Sequence, residues 1–336
     1  MPPWLSTPFL GDPWFTSMQL IRGLHNLGKF APGCVATIGN FDGVHRGHQD
    51  ILKQLHEKSD QLQLPSAVVL FEPQPREFFS PDQAPARLSS LREKLALLTH
   101  HGVDRVICLC FNQRLRALSA DQFIDQVLVQ GMGVRYLVVG DDFRFGCDRS
   151  GDFHRLQRAG LEQGFAVTHT RTILDGQDRI SSTRIRAALA DSKLALAARL
   201  LGAPYSIRGR IAHGQKLGRE LGVPTANVQL KRLQAPLRGV YTVHATVAGN
   251  RYNGVANIGM RPTVDGRKAV LEVHLLDFSG DLYGQELVVE FLHQLRDEKK
   301  FESLEALQAA IHQDLDSARA LFAPTDPQAN RYPDHD

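Results

Sequence analysis

Residues 37–48, TIGNFDGVHRGH, constrain the fold more than any other stretch of the chain. The apolar run 34–38 before them is typical of a buried strand, and the apolar spacing from residue 49 onward is typical of a helix. Three glycines in the turn let the backbone approach a ligand closely: Gly39, Gly43 and Gly47. A helix that begins here offers unpaired N–H groups and a partial positive charge, and both favour a bound phosphate.

The same turn carries two histidines, His45 and His48, which share one face if they lie in a first helical turn. Two imidazoles beside an anion site can donate hydrogen bonds to phosphoryl oxygens. A lone H-x-x-H pattern would indicate only a surface turn. Its coincidence with the glycines and the strand–helix context instead favours phosphate chemistry.

Composition sets broad limits on what the chain can be. Its 336 residues suffice for about two domains, and 43% hydrophobic and 22% charged residues are ordinary for a globular protein. A net charge of +3 is too small to indicate a nucleic-acid partner. Apolar runs fall short of the ~18 residues of a membrane span, so we expect neither nucleic acid nor membrane as a partner.

Four cysteines lie in the first half: Cys34, Cys108, Cys110 and Cys147. They form no C-x-x-C pair, so we expect buried free thiols and a cytoplasmic location. The N-terminal residues do not resemble a signal peptide. We expect residues 1–17 and 323–336 to be disordered extensions, and either Met1 or Met18 to be the true start.

Strand and helix patterns alternate as far as residue 200, which predicts an α/β domain at 18–200 with a parallel sheet and helices on both faces. Ligands of such sheets bind beyond the carboxyl ends of the strands, where residues 37–48 lie. Several short strands separated by turns follow, and they predict a small antiparallel β-barrel at 204–322. An amphipathic helix over 304–322 is expected to close the barrel.

A second polar motif, ISSTRIR at 180–186, precedes a helical pattern that continues to about residue 201. Hydroxyls at a helix start usually cap it, and alone that interpretation would prevail for Ser181, Ser182 and Thr183. The nearby Arg184 and Arg186 add a second interpretation. Hydroxyls, amides and a guanidinium together can grip a polyphosphate.

The stretch GDDFRFG at 140–146 also follows a predicted strand. One interpretation makes its aspartates turn residues and its phenylalanines core residues. An aromatic and arginine turn beside a phosphate site can instead cover a flat heterocycle, which makes Asp142, Phe143 and Arg144 candidates. The stretch FEPQPRE at 71–77 opens from another strand end and is expected to line the same crevice.

The second domain carries its own candidate site, GQKLGRELGVPTAN at 214–227. Repeated glycines argue against a helix and favour a flexible loop over phosphates, with these candidates: Gly214, Lys216, Gly218 and Gly222. Thr225 and Asn227 lie two apart on a strand and face the same way. A hydroxyl and an amide oxygen are hard ligands suited to Mg²⁺ bound with a nucleotide, although PTAN alone would indicate a turn.

Glu272 interrupts the apolar strand AVLEVHLLDF, and a carboxylate there needs a reason. It either faces solvent together with His274 or acts as a general base inside a barrel mouth. Arg296, in LRDEKKF, is a further candidate, although such a string usually indicates an exposed charged run.

These motifs together resemble known families. G-x-F-D-G-x-H-x-G-H resembles the ATP-binding signature of the nucleotidyltransferase superfamily, and I-S-S-T-x-I-R its second phosphate-gripping motif. G-x-x-L-G-x-P-T-A-N, N-I-G-x-R-P-T at 257–263, E-V-H-L-L-D-F and L-R-x-E-x-x-F resemble riboflavin kinase. Over roughly residues 18–322 the chain resembles the bacterial bifunctional riboflavin kinase/FMN adenylyltransferase family.

The resemblance implies a Rossmann-like nucleotidyltransferase domain followed by a riboflavin kinase-like barrel. It implies that riboflavin and ATP give FMN, and that FMN and ATP give FAD and pyrophosphate, with Mg²⁺ accompanying ATP. The residues implied to bind ATP in the first domain are Gly39, Asn40, Phe41, Asp42, Gly43, Gly47, Ser181, Ser182, Thr183 and Arg184, with His45 and His48 catalytic. In the second domain ATP contacts are implied for Gly214, Lys216, Gly218 and Gly222, metal contacts for Thr225 and Asn227, and the general base for Glu272. Flavin contacts are implied for Asp142, Phe143, Arg144, Asn257 and Arg296.

Two alternatives remain open at this point. An adenylyl- or cytidylyltransferase acting on a pantetheine or a lipid headgroup shares the first motif, but it leaves PTAN and Glu272 unexplained. A flavin-sensing protein would bind ligand in the barrel without turnover, and the presence of Thr225, Asn227 and Glu272 argues against it.

Because the phosphate of FMN is already ionised, we predict no catalytic carboxylate base in the first domain.

Overall fold

The computed structural model describes residues 18–28, 32–140, 142–170, 172–213, 222–230, 232, 234–263 and 266–323, without the side chains of 261–268. The expectations for residues 1–17 and 324–336, and for Gly214, Lys216 and Gly218, lie outside the described residues. The chain divides into two compact units. The first comprises residues up to Tyr205 together with Arg232–Pro236, and the second comprises Ser206–Lys231 and the residues from Leu237 onward.

The first unit contains a six-stranded parallel sheet of order β1-β4-β3-β2-β5-β6. Its strands are β1 (Gln19–Arg22), β2 (Cys34–Ile38), β3 (Ser66–Glu72), β4 (Arg105–Cys110), β5 (Val134–Val139) and β6 (Ala166–His169). A short hairpin, β7 (Leu174–Asp175) and β8 (Asp178–Arg179), follows it. The predicted parallel sheet is confirmed, and the edge strand β1 was not anticipated from the sequence.

Helices cover both faces of this sheet. The α-helices in the described part of this unit are α1 (Arg46–Leu62), α2 (Pro75–Phe79), α3 (Leu91–His100), α4 (Gln113–Arg116), α5 (Ala120–Phe123), α6 (Phe153–Gln163), α7 (Ser182–Ala190) and α8 (Leu194–Leu201). All five residues of β2 are buried: Val35 joins the apolar cluster on one face, and Ala36 joins the cluster on the other. Burial on both faces explains why this strand reads as an uninterrupted apolar run.

One expectation about these helices is wrong. The helical pattern after Ser181 predicts a helix that continues to about residue 201. It divides into α7 and α8 because Ser192 adopts a left-handed φ of 54° between them. A residue other than glycine in that conformation cannot continue a right-handed helix.

The second unit is a closed antiparallel barrel of order β10-β13-β12-β11-β14-β9. Its strands are β9 (Ser206–Ala212), β10 (Ala226–Val228), β11 (Gly239–Val247), β12 (Asn250–Thr263), β13 (Gly266–Leu275) and β14 (Glu286–Arg296). The helix α9 (Leu304–Phe322) follows the barrel and contacts β12 and β14. The predicted barrel and its helix are confirmed. Across the described residues, every helix is too short or too polar to span a bilayer.

Candidate active sites

The glycine turn links the carboxyl end of β2 to α1 through a tight series of left-handed residues. Phe41, Gly43 and Val44 have φ values of 46°, 81° and 41°. Helix α1 then begins with His45 as its N-cap residue, and His45 Nδ1 accepts a hydrogen bond from the His48 N–H at 3.3 Å. The backbone N–H groups of Arg46 and Gly47, in the first turn of α1, therefore remain as donors for a ligand at this helix end.

The two histidines form a stacked pair. Their ring centroids lie 3.7 Å apart with an interplanar angle of 16°. Burial lowers the pKa of His45 to about 4, with the charges of Arg179 and Arg186 acting in the same direction and Asp42 against it. The pKa of His48 also lies well below its ordinary value, because of burial and of the charges of His45, Lys94 and Arg179. Both rings are therefore neutral at pH 7.

Each neutral imidazole still carries one N–H. Because His45 Nδ1 accepts from the backbone, the proton of His45 lies on Nε2. His48 Nδ1 is out of contact with solvent and has no hydrogen-bond partner among the described residues. The pair is thus a source of uncharged donors beside the helix N-terminus.

Asp42 has a structural role that the sequence did not reveal. Its buried carboxylate accepts hydrogen bonds from the backbone N–H groups of Leu88 and Ser89 at 3.0–3.1 Å and forms an ion pair with Arg186 at 2.5 Å. The family resemblance implies that Asp42 binds ATP, and the sequence makes Arg186 a candidate for gripping phosphate. In this structure the two side chains are directed at each other and organise the turn.

The ISSTRIR motif contacts the glycine turn at Asp42. Ser182 Oγ donates to the carbonyl oxygen of Asp42 at 3.0 Å, and Ser181 caps α7 by accepting from the Arg184 N–H at 3.3 Å. Arg184 pairs with Asp175 at 3.0 Å, while Thr183 is exposed. The structure therefore brings residues 39–48 and 181–186 together, and the capping interpretation holds for Ser181.

Two cations at this site were not found from the sequence. Arg179, in β8, is exposed, lies 3.9 Å from Asp142, and lowers the pKa values of His45 and His48 through its charge. Lys94, in α3, has only 1% of its surface exposed, and burial lowers its pKa although Asp42 and Glu72 act in the opposite direction. A lysine four positions after a serine N-cap has no sequence signature that distinguishes it from an ordinary helix residue.

The turn after β5 combines exposed and packed residues. Asp142 and Arg144 are exposed, whereas Phe143 packs against the core and stacks on Phe145 at 5.5 Å. In the stretch after β3, Arg87 binds Glu72 and Glu77. These segments lie at the carboxyl edge of the sheet, as their positions after strands predicted.

The barrel aligns three polar residues on neighbouring strands. Glu272 of β13 is the register partner of Asn227 on β10 and of Asn257 on β12. Register partners place their side chains on one face about 5 Å apart. This row could not be predicted from the sequence, because strand pairing is decided only when the barrel closes.

The possibility that Glu272 lies inside a barrel mouth is wrong. Its neighbours Leu271 and Val273 are buried, as are their register partners Ile258 and Ala256. Because successive strand residues point to opposite faces, Glu272 lies on the outer face of the barrel and is half-buried there.

Thr225 precedes β10 and is half-buried, like Asn227. His274 Nδ1 lies 2.8 Å from the carbonyl oxygen of Pro224, which ties the PTAN segment to β13. Gly222 adopts a φ of 77°, a conformation that suits glycine. Arg296 is engaged elsewhere: its Nε and a terminal nitrogen bind Asp314 of α9 at 2.8–3.1 Å.

Sequence models of two protein families match the chain: FAD synthetase over residues 28–184 and riboflavin kinase over residues 201–322. A bifunctional riboflavin kinase/FMN adenylyltransferase from Pseudomonas fluorescens is 61% identical over 310 residues, covering 92% of this chain and 99% of the relative. This chain belongs to the bifunctional riboflavin kinase/FMN adenylyltransferase family.

Another member of the bifunctional riboflavin kinase/FMN adenylyltransferase family, from Escherichia coli K12, is 53% identical over 313 residues, covering 92% of this chain and all of the relative. Among solved structures, one described as a macrolide-efflux protein from Streptococcus pneumoniae is similar with a TM-score of 0.73 and 30% identity, covering 90% of this chain and 99% of that one. Within the described residues, no group of three or more His, Cys, Asp or Glu side chains is arranged to hold a metal ion.

Proposed function

We propose that this chain phosphorylates riboflavin with ATP to FMN and then adenylylates FMN with a second ATP to FAD. Family membership supports both reactions. The observation that carries the residue assignment is the row on the barrel, where one carboxylate, Glu272, lies between the amides of Asn227 and Asn257. A base between two neutral polar groups suits deprotonation of an alcohol.

In the first reaction the ribityl hydroxyl of riboflavin attacks the γ-phosphorus of ATP, and ADP leaves. The hydroxyl is a weak nucleophile, so Glu272 accepts its proton as the new bond forms, a contribution of about 10²–10⁴-fold. The half-buried position of Glu272 leaves it accessible to a substrate. We assign a contact with the flavin to Asn257, which is exposed and is the register partner of Glu272.

Thr225 and Asn227 fit the Mg²⁺ that accompanies ATP. Their hydroxyl and amide oxygens are hard donors, both side chains are half-buried, and Asn227 is the register partner of Glu272. Bound there, Mg²⁺ would neutralise charge on the ATP phosphates. Two protein oxygens are also what this ion usually takes when substrate phosphates supply the rest of its shell.

In the second reaction a phosphate oxygen of FMN attacks the α-phosphorus of ATP, and the bond to pyrophosphate breaks. No base is needed, because this nucleophile is already ionised. The difficulty is the approach of two anions and the charge of the transition state, which positioned donors and cations relieve. Three kinds of group can provide this stabilisation here. They are the neutral N–H groups of His45 and His48, the backbone amides at the start of α1, and the charges of Arg179 and Lys94.

For the flavin at this second site we assign the exposed side chains of Asp142 and Arg144, with Phe143 behind them. Arg184 is half-buried and held by Asp175, and would have to exchange that carboxylate for a phosphate to act on ATP. Arg296 forms an ion pair with Asp314. The contact with the flavin that we assign to Arg296 would come in addition to this ion pair.

The test is incubation of the purified chain with riboflavin, ATP and Mg²⁺, followed by chromatography at successive times. FMN should appear first and FAD afterwards, and FMN supplied alone with ATP should give FAD and pyrophosphate. Riboflavin that binds but remains unchanged would instead indicate a flavin sensor. Inertness towards flavin would indicate a transferase for a different acceptor.

A further inference from the structure

The buried side chain of Arg232 contacts residues that lie far from it in the sequence. Arg232 lies between β10 and β11, inside the range that matches riboflavin kinase. In the structure it belongs with residues 232–236 to the first unit. Its side chain has 1% of its surface exposed, and an arginine is rarely buried so deeply unless it is paired.

The two terminal nitrogens of Arg232 are held by four acceptors in the first unit. One terminal nitrogen donates to the carbonyl oxygens of Leu88 at 3.2 Å and Arg87 at 3.3 Å and to the Tyr205 hydroxyl at 3.0 Å. The other forms an ion pair with Glu93 Oε2 at 2.5 Å. Burial disfavours this charge, but Glu93, Tyr205 and Asp42 raise the pKa of Arg232 above its ordinary value.

The segment that Arg232 holds is the one that holds the glycine turn. The N–H groups of Leu88 and Ser89 bind the Asp42 carboxylate, and Ser89 Oγ accepts from the Gly43 N–H at 3.0 Å. Glu93 in turn closes the capping box of α3 with Ser90. Arg232 therefore fixes both ends of a short segment whose amides set the position of the ATP-binding turn.

We propose that Arg232 is a positioning residue for adenylyl transfer, although it lies in the part of the sequence that matches riboflavin kinase. This inference rests on the proposed function, because it assumes that the glycine turn binds ATP for FAD formation. It acts through the segment 87–93 and Asp42, and it touches no substrate. The match to riboflavin kinase begins at residue 201. A protein cut at that point would contain the glycine turn but would lack Arg232.

The experiment replaces Arg232 in the full chain by Met, which fills much of the volume without the charge, and by Lys, which keeps the charge without the planar fork. Each variant is assayed for FMN formation from riboflavin and for FAD formation from supplied FMN. We expect kcat/KM for ATP in FAD formation to fall roughly tenfold or more in Arg232→Met, mainly through a higher KM, because a displaced turn binds ATP less well. Arg232→Lys should lie between this variant and the unmodified protein, and FMN formation should be unchanged in both.

Arg238→Met is the matched control, since Arg238 is exposed and lies six residues further along. It should leave both reactions unchanged. Normal FAD kinetics in both Arg232 variants would overturn the proposal. So would a loss of FAD formation at constant KM for ATP that matches a loss of folded protein, because that is the signature of a merely structural role. Absence of FAD formation in the unmodified chain would contradict the proposed function instead.

Discussion

Asp42 and Arg186 lie 144 residues apart in sequence, and their carboxylate and guanidinium form an ion pair at 2.5 Å. Asp42 belongs to the glycine turn, and Arg186 belongs to the ISSTRIR motif. Ser182 adds a hydrogen bond to the same residue at 3.0 Å. The glycine turn and the ISSTRIR motif are thus joined to each other inside the first unit.

We expect Asp42→Asn to lower the free energy of unfolding of the first unit by about 3 kcal/mol, because it leaves the Arg186 charge without its buried partner. FAD formation should fall with it, and FMN formation should remain. Denaturant unfolding and the two assays check this. Asp60→Asn, at an exposed position of α1, is the control, and equal stability of the two variants would contradict the buried-pair argument.

His45 combines a capping role and a donor role, and two substitutions separate them. His45→Asn keeps an acceptor at the N-cap of α1, whereas His45→Ala removes it at a cost of about 1 kcal/mol. Both remove the imidazole N–H, so FAD formation should slow in both while stability falls only in the alanine variant. A His45→Asn protein with the normal rate of FAD formation would exclude His45 from catalysis. The same outcome for His48→Ala would exclude His48.

The histidine pair should make stability depend on pH. The pKa of His45 falls from 6.5 when exposed to about 4 in the folded protein, and that of His48 is lowered too. The unfolded chain therefore binds more protons between these values. The stabilisation by neutral histidines is complete above about pH 6.5 and is lost as the pH falls towards 4, by on the order of 3 kcal/mol for His45.

Thermal unfolding at several pH values measures this effect. The difference in stability between the unmodified chain and His45→Asn should shift in favour of the variant as the pH falls from about 6.5 to 4. Taking the difference removes the contribution of other carboxyl groups. A difference that stays constant over this range would show that the pKa of His45 is not lowered on folding.

Glu272→Gln keeps the shape of the side chain and removes its basicity. FMN formation should fall by about 10²–10⁴-fold, because the ribityl hydroxyl loses its proton acceptor. FAD formation from supplied FMN should continue at the normal rate. Glu302→Gln, at an exposed position of the same unit, should alter neither reaction. Parallel loss of both activities in Glu272→Gln would contradict the division of labour between the units.

Lys94→Met distinguishes a functional buried lysine from a structural one. If the ammonium serves anionic substrates, FAD formation should fall at least roughly tenfold while stability holds or rises, since a buried charge no longer has to be desolvated. Lys53→Met, at an exposed position of α1, is the control. Full activity with unchanged stability in Lys94→Met would leave Lys94 without a role in the reaction.

Local patterns predicted much of this protein because they act over a few residues. The run before the glycine turn is apolar because β2 is buried on both faces, and Ser119 and Gln122, three residues apart in sequence, form a capping box at the start of α5. The alternation of strands and helices predicted the parallel sheet, and short strands between turns predicted the barrel. The break between α7 and α8 was missed because one left-handed serine outweighed a continuous apolar pattern.

Hydrophobic periodicity and turn chemistry along the chain were enough to predict the order of elements, the two architectures and the segments that reach the carboxyl edge of the sheet. Which charges meet followed only from the folded arrangement. Folding pairs Asp42 with Arg186, places Glu272 on the outside of the barrel between Asn227 and Asn257, and buries Arg232 in the first unit. The physical reason is that electrostatic and hydrogen-bond partners are set by distance in space, and residues far apart in sequence carry no local mark of their eventual neighbours.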